Sequence, residues 1–278
     1  GLKMIKIWNE LMTQRCKEIS EQMIALKPYE DSPEGLNRMK NLVISLFSEK
    51  GFEIEEIKNT EAEYRPVLIA KLDSKHETTI GFFGHYDVEP VDPKTWSTDP
   101  WDLTEVDGRW QGRGVADNVV PLVQRILLSL EMAKHANLVF VLQGEEEIAS
   151  PFAMKIYPTL NLPPIDLWLE ETGYFYRNGN HRIMALNINH KLENVFSAIK
   201  ELNLNENRDT KIRNRPMNKA FGNQGCPCLV HLLKDIPYIA LGPNDDHSKI
   251  HGDDESMNPD LLDISARQIL KAVEVFSQ

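Results

Sequence analysis

The stretch ANLVFVLQGEEE, residues 136–147, decides the fold class. Residues 136–144 form a near-continuous apolar run of strand length, which is typical of a strand buried on both faces of a sheet. Along the chain, further apolar runs alternate with segments whose apolar residues recur at helical spacing. This alternation predicts an α/β fold of three layers, in which a central mixed, mostly parallel sheet is flanked by helices.

The element boundaries follow from the same periodicities. Helices are predicted over residues 3–26, 35–49, 119–134 and 259–276, and another helix is predicted to start at residues 151–156. Strands are predicted within residues 51–57, 66–72, 78–84, 136–144, 166–173, 183–189 and 236–242. Gly51 is expected to end the second helix, because glycine favours the position after a helix C-terminus. We expect a loop at residues 88–108 and an irregular, exposed excursion at the polar residues 203–223.

Composition and charge exclude several classes of partner. The chain has 278 residues, 41% hydrophobic and 26% charged, and its formal net charge is −11. Such a surface repels nucleic-acid phosphate and anionic lipid. No apolar run reaches the length of a membrane span, and the first residues do not resemble a secretory signal. The three cysteines, an odd and small number, favour a reducing compartment, so we expect a cytoplasmic protein that binds neither nucleic acid nor membranes.

Histidines and carboxylates cluster just after four of the predicted strands, where ligands of α/β sheets bind. The side chains concerned are His85, Asp87, Glu145, Glu146, Glu147, Glu170, Glu171, Asp245, Asp246, His247 and His251, with Asp117 in the loop before a helix. Three consecutive glutamates repel one another and lose hydration there unless a cation is near. Histidine and carboxylate without cysteine suit zinc, and also manganese or cobalt. The sequence therefore predicts one or two divalent cations.

Five motifs in order carry a resemblance to a known family. They are GHYDVEP (84–90), WSTDPW with DGRWQGRGVADN (96–118), QGEEEIAS (143–150), EETG (170–173) and HGDDESM (251–257). Together they resemble the zinc metallopeptidase family of aminoacylase, acetylornithine deacetylase, succinyl-diaminopimelate desuccinylase and carnosine dipeptidase. The resemblance implies a zinc exopeptidase-like fold, two divalent metal ions, and hydrolysis of amide bonds by a water held between them.

The resemblance also implies the metal ligands. His85 would bind one metal, Glu171 would complete the first metal and His251 would bind the second. Glu147 would be a further metal ligand beside Glu146, and Asp117 would bridge the two metals. Glu170 could take the place of Glu171, and His247 could take the place of His251.

Three further expectations come from the resemblance. Glu146 resembles the general base, and Asp87 would hydrogen-bond the His85 imidazole and fix its tautomer. The Asp117–Asn118 peptide bond is expected to be one of the rare non-proline cis bonds. Glu145 falls on a variable position, where an exposed or hydrogen-bonded side chain is expected.

The chain departs from the family at the lid, a smaller domain that usually supplies substrate-binding groups and the dimer surface. Only about 80 residues separate Glu171 from His251, and the catalytic domain itself needs most of them. We therefore expect one catalytic domain, residues 1–278, with residues 180–223 as a possible reduced remnant of the lid. Candidates to replace lid groups are His181, His190, Arg213 and Arg215. Val119 and Val120 stand where the family usually has lysine and glycine.

The sequence thus favours a metal-dependent hydrolase of dipeptides, short peptides or N-acyl amino acids, acting as a monomer or weak homodimer. The second hypothesis is a lid-less, catalytically poor metal-binding homologue that binds a ligand or a partner. Retention of the Glu146 carboxylate favours the enzyme, because binding alone needs no general base.

Overall fold

Three of the α-helices in the described residues begin where a polar side chain caps a segment of helical apolar spacing. Asn9 accepts a hydrogen bond from the Met12 N–H, and Ser32 accepts one from the Gly35 N–H. The computed structural model describes residues 7–214 and 227–278. Its seven α-helices in these ranges are α1 (Glu10–Ala25), α2 (Pro33–Glu49), α3 (Val120–Met132), α4 (Pro151–Ile156), α5 (His190–Leu204), α6 (Val230–Leu233) and α7 (Leu262–Phe276). As expected, Gly51 follows α2 with a left-handed φ of +86°.

Thirteen strands in the described ranges form two sheets. They are β1 (Glu53–Ile57), β2 (Val67–Leu72), β3 (Thr79–His85), β4 (Thr104–Val106), β5 (Arg109–Gln111), β6 (Asn137–Gln143), β7 (Leu167–Glu170), β8 (Tyr174–Phe175), β9 (His181–Leu186), β10 (Thr210–Asn214), β11 (Tyr238–Ala240), β12 (Asn244–Asp245) and β13 (Ser256–Met257). The main sheet has the order β1-β2-β6-β3-β7-β11-β9-β8-β12, with β10 paired to β9. The small sheet has the order β13-β5-β4.

The predicted fold class is confirmed. Five of the nine strand pairs in the main sheet are parallel, including the central pairs of β3 with β6 and β7. Because β6, β3, β7 and β11 run in the same direction, their carboxyl ends meet at one edge of the sheet. This edge carries the residues that follow His85, Gln143, Glu170 and Ala240.

Helices cover both faces of the main sheet. Alternate strand residues enter two separate cores: Phe82 stacks on Phe140 at 4.4 Å in one, and Phe83 stacks on Trp168 at 4.3 Å in the other. The first core includes residues of α1, α2, α3, α5 and α7, and the second includes residues of α4 and α6. Val119 and Val120 are buried in the first core at the start of α3.

Several elements differ from the sequence prediction. α1 begins at Glu10, although the predicted helix includes residues 7–9, and β4 lies within the loop expected at residues 88–108. α5 was not predicted, and β10 lies inside the stretch 203–223 that was expected to be irregular, so that expectation is wrong for residues 210–214. Polar residues are buried here because they satisfy one another: Asn203 accepts from Gln268 at 2.8 Å and donates to Thr210 Oγ1 at 2.8 Å. α5 nevertheless carries a local signal, because Leu192, Val195, Phe196 and Ile199 recur at helical spacing after the N-cap Asn189.

The described residues include part of the segment 180–223 that is proposed as a lid remnant. Its residues 180–214 contain β9, α5 and β10, and β9 is hydrogen-bonded to β11 within the main sheet. Residues 215–223 lie outside the described residues, and the remnant remains a prediction. No helix in the described ranges combines the length and the apolar character needed to cross a membrane.

Candidate metal centre

His85 ends β3 with its imidazole held on both sides. Its Nδ1 lies 2.8 Å from the Asp87 carbonyl oxygen and 3.2 Å from Asp87 Oδ1. Its Nε2 lies 3.0 Å from Asp117 Oδ1 and 3.7 Å from Glu146 Oε2. A proton on Nδ1, donated to the Asp87 carbonyl, leaves the Nε2 lone pair facing the carboxylates, as a metal ligand requires.

Asp87 also fixes the turn that carries two of the glutamates. Its Oδ1 and Oδ2 accept hydrogen bonds from the backbone N–H groups of Glu146 (3.2 Å) and Glu147 (3.0 Å). The Asp87 side chain is 2% exposed, so it touches the protein rather than solvent. One buried carboxylate thus positions the His85 ring and both glutamates.

Asp117 stands between the two histidines. Its Oδ1 faces His85 Nε2 at 3.0 Å, and its Oδ2 faces His251 Nε2 at 2.9 Å. The Asp117–Asn118 peptide bond is cis, which confirms the expectation from the motif. With one oxygen toward each imidazole, the carboxylate has the orientation of a bridging ligand.

Glu255 holds the loop before Asp117, a role that the sequence analysis missed. Its buried carboxylate accepts from the backbone N–H groups of Gly114 (3.1 Å), Ala116 (2.9 Å) and Asp117 (3.0 Å). Arg113 Nη1 also donates to it at 3.0 Å. The only signal in the sequence was its place four residues after His251 in the motif HGDDESM.

His251 and Glu89 lie on the other side of Asp117. His251 has a left-handed φ of +64°, and its Nε2 lies 2.9 Å from Glu147 Oε2. The ligand atoms of Glu89, Glu147 and His251 all lie within 4.8 Å of one another. Glu89 was not singled out as a ligand in the sequence analysis, although it belongs to the motif GHYDVEP.

The structure gathers part of the predicted ligand set. Ligand atoms of His85, Asp117, Glu146 and Glu147 also lie within 4.8 Å of one another, and these four residues are called the carboxylate–histidine cluster. Glu171 is not part of this group, but it lines the same pocket as His85 and Asp117. Glu170, its neighbour, accepts from the Thr172 N–H at 3.1 Å and from the hydroxyls of Thr172 and Tyr238.

His247 and Glu145, two further acid and histidine side chains near the strand ends, have local partners. His247 is exposed, and its backbone N–H donates to Asp245 Oδ1 at 3.0 Å. Glu145 is hydrogen-bonded, as expected: it accepts from Asn59 Nδ2 at 3.1 Å and from the Phe152 N–H at 2.8 Å.

Burial shifts the pKa values of these groups. It raises the pKa of Glu147 to about 11, opposed by the His251 hydrogen bond. It also raises the pKa of Glu146 and, together with the charge of Glu170, raises the pKa of Glu171 to about 8. Hydrogen bonds to Asp117 and Glu147 raise the pKa of His251 to about 11. Burial thus disfavours the charged form of these carboxylates unless a positive charge lies next to them.

The donors fit a divalent cation. Glu146 Oε2 and Glu147 Oε1 are buried and have no hydrogen-bond partner among the described residues. Buried carboxylate oxygens without a partner carry a large desolvation cost, which a cation would offset. Imidazole and carboxylate donors without thiolate suit zinc, manganese or cobalt.

A pocket of about 560 Å³ opens beside the cluster. Apolar residues on its wall are Phe83, Met184, Leu229 and Ile250. Two cationic side chains missed by the sequence analysis also line it, Arg182 and Lys249. The Arg182 guanidinium lies 3.4 Å from the Tyr174 ring centroid and donates to the Thr172 carbonyl at 3.2 Å.

Of the residues expected to replace lid groups, the three that the structure describes do not line this pocket. His181 is fully buried against Asn203, and burial lowers its pKa to about 3. Arg213 is exposed and donates to the Tyr176 hydroxyl at 3.5 Å, and His190 begins α5 as an exposed side chain. Arg215 lies outside the described residues.

Sequence comparison confirms the resemblance over part of the chain. The model of Peptidase family M20/M25/M40 matches residues 81–176. Beta-Ala-His dipeptidase of Mus musculus is 41% identical over 92 residues, 31% of this chain and 19% of the mouse enzyme. Succinyl-diaminopimelate desuccinylase 2 of Ruegeria sp. is 31% identical over 126 residues, 43% of this chain and 31% of that enzyme. The matched segments thus span less than a third of either relative's length.

Structural comparison extends the likeness of fold to almost the whole chain. The di-peptidase Dug1p from Saccharomyces cerevisiae superimposes with a TM-score of 0.80 at 11% identity, covering 98% of this chain and 97% of that chain. Human carnosine dipeptidase 1 gives a TM-score of 0.77 at 12% identity, covering 97% of this chain and 98% of that chain. At such low identity these superpositions establish the fold alone.

Proposed function

We propose that this protein, whose residues 81–176 match the model of Peptidase family M20/M25/M40, is a metal-dependent hydrolase of amide bonds. The observation that carries the proposal is the shared Asp117 carboxylate, with one oxygen 3.0 Å from His85 and the other 2.9 Å from His251. A carboxylate between two imidazoles is the arrangement that two adjacent divalent cations need. Dipeptides, short peptides and N-acyl amino acids are the proposed substrates.

The proposed ligands form two sets around Asp117. His85 and Glu171 would hold the first ion, Glu147 and His251 the second. The partnerless Glu147 Oε1 supports the second set, and the pocket shared by Glu171 and His85 supports the first. Zinc is the proposed metal, and cobalt or manganese could replace it, since all three accept imidazole and carboxylate.

Glu146 would transfer the proton that the attacking water loses, and Asp87 would hold Glu146 in place. When bound, the two ions would lower the pKa of a water and polarise the scissile carbonyl. Glu146 Oε2, buried and without a hydrogen-bond partner among the described residues, is the proposed acceptor of the proton from the attacking water. The same oxygen would return the proton to the nitrogen of the leaving amine. Asp87 holds the Glu146 backbone in place during both transfers.

The pocket supports a small substrate with a free carboxylate. Its volume of about 560 Å³ is in the range of small-molecule sites. Arg182 and Lys249 are the proposed partners of the substrate carboxylate, in place of the lid groups of the family. Phe83 and Met184 offer apolar surface to a substrate side chain. We further propose that the protein acts as a monomer or weak homodimer in the cytoplasm.

The proposal is tested by metal analysis and by turnover on one preparation. We expect two zinc-class ions per chain and hydrolysis of members of a dipeptide and N-acyl amino acid panel. Glu146→Gln should abolish turnover and keep the ions, whereas Glu63→Gln, an exposed charge control, should change neither. Two ions without turnover on any substrate would favour the catalytically poor binding protein, and absence of metal after zinc loading would refute both.

A further inference from the structure

Glu89 occupies a fixed position next to the second set of proposed ligands. The Val88 N–H donates to the Pro28 carbonyl at 2.9 Å, which anchors the backbone one residue before it. The Val88 side chain packs against Gly114, which has a φ of +88° in the loop that leads to Asp117. The segment that carries Glu89 is therefore tied to the loop that carries the shared carboxylate.

The Glu89 carboxylate faces ligand atoms. One of its oxygens lies within 4.8 Å of donor atoms of both Glu147 and His251. Within residues 7–214 and 227–278, this carboxylate forms no hydrogen bond or ion pair with another side chain or backbone group. Its side chain is half-buried, so solvent alone does not surround it.

The negative charge gathered here requires a positive charge. Carboxylates of Asp117 and Glu147 each approach His251 Nε2 at 2.9 Å, and Glu89 adds a third. The Glu147 side chain is only 3% exposed, and its Oε1 has no hydrogen-bond partner among the described residues. A single imidazolium cannot satisfy three carboxylates, whereas a divalent cation can accept several oxygen ligands at once.

We propose that Glu89 is a direct ligand of the cation held by His251 and Glu147. The inference rests on the proposed function, because it assumes that this position holds a metal. With Glu89 included, the metal site at His251 has three carboxylate ligands, counting the shared Asp117, whereas the metal site at His85 has two. Carboxylate ligands suit manganese as well as zinc. The additional carboxylate of Glu89 should therefore let the metal site at His251 accept manganese more readily than the site at His85 does.

The test measures metal binding rather than activity. Metal-free wild-type protein, Glu89→Gln, Glu89→His and the control Glu63→Gln are dialysed against buffered zinc. Zinc per chain is then counted by mass spectrometry, and affinities are measured by calorimetry. We expect two ions in the wild type and the control. Glu89→Gln should keep one ion and bind the other roughly 10- to 100-fold more weakly, the loss typical when support of a metal site is removed.

The Glu89→His variant distinguishes direct coordination of zinc by residue 89 from an effect of the Glu89 charge alone. Imidazole can bind zinc but carries no negative charge, so Glu89→His should recover the second ion if Glu89 is a ligand. If Glu89→His binds zinc no better than Glu89→Gln, Glu89 acts only through its charge and the inference is wrong. Thermal unfolding of the metal-free variants checks that they fold. Glu89→Asp, which keeps the charge but withdraws the carboxylate, should also weaken the second ion.

Two outcomes distinguish this inference from the proposed function. If the wild type holds two ions and Glu89→Gln holds them with unchanged affinity, the inference is refuted while the hydrolase proposal stands. If the wild type holds none, both are refuted.

Discussion

Single buried carboxylates organise the centre through backbone N–H groups. Asp87 accepts from two of them and Glu255 from three, so each side chain fixes a short segment that carries proposed ligands. Charged acceptors form stronger hydrogen bonds than neutral ones, which suits loops that carry mutually repelling ligands. The catalytic residues therefore depend on acids that are not themselves proposed to contact substrate.

Glu255→Gln should destabilise the protein. It leaves the buried Arg113 guanidinium without its carboxylate and turns an amide N–H₂ toward backbone donors. Breaking a buried pair in this way costs about 3–5 kcal/mol. Denaturant unfolding of the metal-free protein measures the loss. The matched control Glu34→Gln breaks an exposed pair with Arg38 and should cost at most about 1 kcal/mol, so equal losses would contradict the role of Glu255.

The sequence could predict those site residues that directly follow a strand of the parallel sheet. His85 and the glutamates after β6 follow apolar runs, so their convergence at one sheet edge is deducible from the parallel arrangement. Arg182 and Glu89 could not be found this way. Arg182 lies inside β9, and its approach to the pocket depends on the pairing of β9 with β8. The position of Glu89 depends on long-range packing of Val88 against Gly114.

The fold was predictable to a similar extent and for similar reasons. Apolar periodicity identifies strands such as β6, whose residues are buried on both faces. Apolar periodicity is also present in α5, from Leu192 to Ile199. It cannot identify the burial of Asn203, which pairs with Gln268 and Thr210, partners from different parts of the chain. Tertiary hydrogen bonds of this kind leave no local pattern.

The strand β9 should contribute to substrate binding through Arg182. We expect Arg182→Ala to raise KM about 10-fold or more for substrates with a free carboxylate, since a hydrogen bond to a charged group contributes roughly 1.5–3 kcal/mol. The amide of the same substrate should be affected much less. Arg213→Ala is the control, because Arg213 is exposed and does not line the pocket. Steady-state kinetics on the acid and amide pair would show an equal effect on both if Arg182 acted only structurally.

At the scale of the whole molecule, cation binding should stabilise the fold. Ligands that bind only the native state add about 2.7 kcal/mol at 100 times Kd. For a chain of this length that corresponds to a rise in Tm of roughly 5 °C. Differential scanning fluorimetry with zinc and after chelation measures the shift. Asp117→Asn, which weakens the shared carboxylate, should reduce it; a full shift in that variant would contradict the bridging role.

The two aromatic stacks on β3 have a consequence for how the domain unfolds. Phe82 and Phe83 are neighbours in one strand, yet each belongs to a different core. Neither helical layer can detach without exposing a strand that the other layer needs. We therefore expect the two halves to unfold as a single cooperative unit, so that the amide hydrogens of β3 exchange with solvent only when the entire domain unfolds.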